Sequence, residues 1–193
     1  MLVMTGKDED LARLGRSWRE TVATVAMAGY DLVLSPAFSI WNDHSAFHNR
    51  VQLVRCDRFA TVFAAAGVPT VPPAGWFRRA DMYDLARAVQ QNPSINLMWM
   101  DWQTVPHGRA WEDLLGEFDE FASLVPNVRF IVNGVGASRR AALWEHASVA
   151  CVISSGEFVS AVKQNSGPDA GLAARERLLA FVAEPQIYSS RSR

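Results

Sequence analysis

The sequence predicts an α/β domain of five or six mostly parallel strands alternating with helices, as a partial TIM-like barrel or an open sheet. Three observations predict it. Short apolar runs recur at residues 30–36, 68–72, 95–102, 128–132 and 149–153. Each run ends in a polar or Gly-containing turn, and an amphipathic stretch follows. The chain is 193 residues long with 49% apolar and 20% charged residues, values that suit one domain with a sizeable core.

The elements follow in order. Residues 1–5 make a short first strand. In residues 7–27, Leu11, Leu14, Trp18, Val22 and Val25 recur at helical spacing, and Gly29 ends that helix. The run 30–36 is the clearest strand. A polar loop over 39–44 leads to a long helix over 45–66 that stops at Gly67, with Asn42 or Asp43 as its cap. Pro69, Pro72 and Pro73 bracket Thr70 and Val71, so the next strand is short and fits a strand end or edge. Met82, Leu85, Ala86 and Val89 give residues 80–91 one apolar face. Residues 95–102 form a strand buried on both sides.

The helix over 110–124 has a core stripe of Trp111, Leu114, Leu115, Phe118, Phe121 and Ala122, and its acids, Glu117 and Glu120 among them, form a solvated face. Residues 128–132 run into the turn 133–138 and a helix ending near 147. The strand 149–153 precedes a Ser- and Gly-containing turn, a helix to 164 and a last helix over 172–183. One domain over 1–187 and a disordered tail over 188–193 are expected.

Lys plus Arg is 19 and Asp plus Glu is 20, a net charge of −1, which excludes a global basic field for nucleic acid or membrane. No apolar stretch approaches the roughly 20 residues of a membrane helix. The N-terminus lacks a secretory pattern. Cys56 and Cys151 lie inside apolar patterns and read as buried, reduced thiols. A cytoplasmic protein without a membrane partner or cofactor is expected. His44 and His48 stand at i, i+4, but no third ligand completes a metal site.

In parallel βα units the residues just after each strand share one edge, so that edge is where chemistry is expected. Four constellations fall there. The first is Ser35 with Asn49 and Arg50, after the second strand. The next is the turn Asn133-Gly134-Val135-Gly136-Ala137-Ser138-Arg139, which opens a helix and suits an anion; a plain tight turn with Ser138 as N-cap is the alternative. Ser155 and Gly156 form a comparable turn, with Ser155 as a simple cap the alternative. Asp101, between Trp99 and Trp102 at a strand end, is the catalytic candidate, as general base or nucleophile, or else a loop acid bonding backbone. Trp76 falls on the same edge, where an aromatic ring stacks a base or sugar or simply covers an open sheet end.

The motif Asp31-Leu32-Val33-Leu34-Ser35-Pro36-Ala37-Phe38-Ser39-Ile40-Trp41, then Asn49-Arg50, then Ala66-Gly67-Val68-Pro69-Thr70-Val71-Pro72, resembles domain of unknown function family 4417. That family is uncharacterised and found in bacteria and mobile elements. The similarity spans residues 30–160, with Ala37 standing where an acid or amide is common. It implies an α/β fold and a mobile-element setting, and implies no activity.

Two functions are therefore expected in competition. One is a mobile-element-associated module binding a protein or nucleic-acid partner. The other is an enzyme or enzyme remnant acting on a phosphorylated or nucleotide-like ligand at the carboxyl edge of the strands. A pocket joining Asp101 to Arg50 favours the second; a flat Arg-rich or apolar face favours the first.

Overall fold

The computed structural model describes residues 1–4, 7–40, 44–102 and 111–153. Strand β1 (Leu2–Val3) is followed by α1 (Asp8–Arg16) and α2 (Trp18–Met27). Then come β2 (Val33–Leu34), α3 (Ala46–Ala65), β3 (Thr70–Val71) and α4 (Arg79–Gln90). Strand β4 (Leu97–Asp101), α5 (Trp111–Leu124), β5 (Arg129–Asn133), α6 (Ala137–Trp144) and β6 (Val149–Ile153) complete the described order.

All strand pairs are parallel, in two three-stranded sheets ordered β1-β2-β3 and β4-β5-β6. A bridge between Pro73 and Trp99 joins β3 to β4, where Ala74 N–H donates to the Trp99 carbonyl at 2.7 Å and Trp99 N–H to that of Pro72 at 3.0 Å. Among the described residues the sheets are open and do not close on themselves, so the fold is an open α/β sheet; the TIM-like alternative is not supported. Pro69, Pro72 and Pro73 remove ladder donors, which keeps β3 to two residues.

Strand alternation separates two faces. Val33 joins a core with Leu11, Val22, Val25, Phe59 and Phe63 from α1, α2 and α3. Met98, Met100, Phe130 and Val132 join a second core with residues from α4, α5 and α6. The other face carries Leu34, Val71, Trp99 and Ile131 as one buried row across four strands. Trp99 is fully buried there and its Nε1–H has no hydrogen-bond partner among the described residues.

Two local readings change. Residues 7–27 form two helices, because the chain breaks at Ser17 (φ −105, ψ 35), whose hydroxyl reaches the Arg13 carbonyl at 3.5 Å. The cap of α3 is Ser45, whose Oγ accepts the His48 N–H at 3.2 Å. Gly67 ends α3 at φ 74, a left-handed conformation that favours glycine. Cys56 is buried and Cys151 half-buried, both as free thiols. No described helix is long and apolar enough to cross a membrane. The expected helices and tail beyond residue 153 lie outside the described residues.

Candidate functional site

Parallel pairing sets Asp101 beside Asn133, since β4 and β5 end in register. Asn133 is 2% exposed and its Nδ2 donates to Asp101 Oδ1 at 3.2 Å. Its backbone carbonyl accepts the Trp102 N–H at 2.8 Å, so Trp102, just past β4, is tied to β5. Gly134 follows at φ 88, and its N–H donates to the Ile153 carbonyl at 3.0 Å. The result is an acid at the carboxyl edge, oriented by a buried amide.

Beside it lies a cleft of about 700 Å³ between α3 and α4, lined by the segments that follow β2 and β3 and running along β4 from Ile95, before the strand, to Trp102, after it. Asp101, Arg50 and Trp76 all line it. Arg50, from the first turns of α3, reaches Asp81 on α4 at 3.5 Å; the Arg50 side chain is 60% exposed and that of Asp81 only 5%. Asp81 also accepts the Arg78 backbone N–H at 3.2 Å and two guanidinium N–H groups of Arg78 at 3.2 Å, a charged cap for α4. Those hydrogen bonds, more than the bare charge of Asp81, raise the Arg78 pKa further. Trp76 Nε1–H donates to Glu117 Oε2 at 3.1 Å, and its ring lies 4.8 Å from that of Phe121.

The remaining predicted residues separate from this cleft. Ser35 is fully buried, and both its N–H and its hydroxyl donate to the Val71 carbonyl at 3.2 Å, so it ties β2 to β3. Asn49 is 1% exposed within α3. Arg139 sits 5.0 Å over the Trp111 ring. Ser138 lies in the first turn of α6, whose N-cap is Gly136, so capping by Ser138 is corrected. Ser155 and Gly156 fall outside the described residues. The His44 and His48 rings meet edge-on at 4.5 Å, and no group of three metal-ligating side chains converges among the described residues.

Sequence reasoning passed over Asp81 and Glu117, which line the cleft. The Arg78-x-x-Asp81 spacing was the available signal, because an acid at the third helical position reaches back to the cap. Glu117 gave no signal, being one acid among several on α5. Asp8 was a third omission: its two oxygens accept Ser39 N–H at 3.0 Å and Gln52 Nε2–H at 2.9 Å, pinning the loop after β2.

Comparison with protein-family models, with curated proteins and with solved structures gives no match, so the resemblance to family 4417 rests on its sequence motifs alone.

Proposed function

We propose that the domain binds a small organic ligand bearing hydroxyl or amino groups in the cleft between α3 and α4, at its Asp101 end, where it reaches the carboxyl edge of β4. The observation that carries this reading is that one cleft of about 700 Å³ gathers Arg50, Trp76 and Asp101. That volume lies within the ~300–1,000 Å³ of small-molecule sites, which combine apolar walls with a few placed polar groups. The position also agrees with where parallel sheets bind ligands.

Charge selects the ligand class. Among the described lining residues, Arg50 faces five carboxylates: Asp57, Asp81, Asp84, Asp101 and Glu117. Arg50 is already engaged by Asp81. A phosphate entering here meets net negative charge, whereas an amine or a hydroxyl finds acceptors. This favours a neutral or cationic ligand over the phosphorylated one expected from the glycine turns.

The test is saturation-transfer NMR with spermidine, glucosamine, sorbitol and uridine monophosphate. Saturable binding of an amine or polyol, weakened at least tenfold in Asp101→Asn, is expected. No binding by the first three, or equal binding by the variant, would overturn the proposal. A second reading, in which a partner protein covers the same cleft, is favoured by Val54, 59% exposed at the rim. Under that reading Val54→Asp abolishes association and Asp101→Asn does not.

A further inference from the structure

A second concavity, of about 250 Å³, lies between α1, the start of α2 and α3. Its floor and walls are apolar and aromatic: Phe38 and Phe59 are 4% and 7% exposed, and Trp18 is half-buried beside them. Its rim carries Arg16, Arg55 and Arg58, all exposed, and no carboxylate lines it among the described residues. This charge is opposite to that of the cleft described above. Arg55 and Arg58 stand one turn apart on α3, while Arg16 comes from the last turn of α1.

Part of this cationic set is already arranged around rings. The Arg55 guanidinium lies 5.6 Å from the Phe38 ring and is steadied by a 3.0 Å bond to Gln52 Oε1. Arg19 lies 4.9 Å over Trp18. Arg16 and Arg58 have no ion-pair partner among the described residues. Exposed guanidinium groups around an aromatic floor match an anion carried on a flat ring.

We infer that this pit binds single-stranded nucleic acid, taking one base against Trp18 and Phe59 and neighbouring phosphates on Arg16, Arg55 and Arg58. The size supports a polymer over a free ligand. A pit of about 250 Å³ holds one flat unit, and the arginines that would meet its neighbouring phosphates stand exposed on the rim, where a strand continues. A base inside a duplex is stacked on its neighbours and cannot enter, which selects single strands. Stacking on an aromatic ring tolerates any base, so little sequence preference is expected. This inference is independent of the small-ligand reading, since it uses α1, α2 and other residues of α3, shares only Phe38 with the first cleft, and carries the opposite charge.

The experiment is fluorescence anisotropy of labelled oligothymidylate and oligouridylate, twelve nucleotides each, against the full chain. With three phosphates neutralised, the log–log salt slope is about −2, so affinity falls about fifteenfold between about 50 and about 200 mM salt. The double variant Arg16→Ala, Arg58→Ala should lose at least tenfold in affinity and reduce that slope by about 1.4. Both arginines are exposed, so a melting curve should show the variant folded. Arg87→Ala, which removes one charge on α4, should bind as the parent does. No binding of either oligonucleotide at about 50 mM salt, equal loss in Arg87→Ala, or an unchanged slope would overturn the inference. Preference for duplex, or binding of a phosphotyrosine peptide in place of the oligonucleotides, would also overturn it.

Discussion

Replacing Asp81 with alanine removes a carboxylate that links both sides of the cleft. Its side chain is 5% exposed and takes hydrogen bonds from Arg78 at 3.2 Å, through backbone and guanidinium, besides the Arg50 pair at 3.5 Å. Loss of the cap costs about 1 kcal/mol. The two arginine side chains are more than half exposed, so solvent screens the ion pairs and they add little. The expected total is about 1 kcal/mol, or about 2–4 °C in Tm for a chain of this size. Urea denaturation of Asp81→Ala, Arg50→Ala and the double variant reads both the total and the Arg50–Asp81 coupling. A total under about 0.5 kcal/mol would refute the capping argument. Coupling of zero would refute the ion pair as a link across the cleft.

Other consequences can be checked on the same material. Phe118 is fully buried, with rings of Phe130 at 5.2 Å and Trp102 at 5.7 Å, so Phe118→Ala should cost about 3–5 kcal/mol in urea denaturation. Gly134→Ala should cost about 1–2 kcal/mol, because φ 88 strains any residue with a Cβ. Burial pushes the Cys56 thiol up to about 11 from an ordinary value near 9, so it should resist alkylation in the native protein at pH 8. By linkage its protonated form stabilises the fold below pH 9, and that contribution should disappear as pH rises through about 11; Cys56→Ala compared with the parent across this window measures it. The Glu120 carboxylate is held below the ordinary range by Tyr83 and then Arg79, so any advantage over Glu120→Gln should vanish as pH falls below that range.

The strand positions were legible because each apolar run ends at a turn residue, and β6 matches its run residue for residue. Strand lengths were less legible. The run 30–36 contributes only Val33 and Leu34 to the ladder, since Ser35 turns its hydroxyl onto Val71 and Pro36 has no N–H to donate. The pairing of Asp101 with Asn133 followed from topology, because adjacent parallel strands bring their ends together. Asp81 and Glu117 were hidden by ordinary helical context, where an acid facing solvent and one facing a cleft look alike. The arginine pit was illegible for another reason: Arg16 and Arg58 are 42 positions apart and meet only through the packing of α1 on α3. Ser35 donates its hydroxyl to the Val71 carbonyl, and Asn49 is buried within α3, so neither lines the cleft.

The central claim is that the carboxyl-edge cleft takes a small amine- or hydroxyl-bearing ligand, and amide chemical-shift mapping tests it most directly. Titrating spermidine or glucosamine into ¹⁵N-labelled protein should move the backbone signals of Gly75, Asp101 and Trp102, which line the cleft, and leave Gly15 and Val62 of the arginine pit unmoved. The same titration on Asp101→Asn should need at least tenfold more ligand. Shifts confined to Gly15 and Val62, or no saturable shift at Gly75, Asp101 and Trp102 with either ligand, would contradict the account.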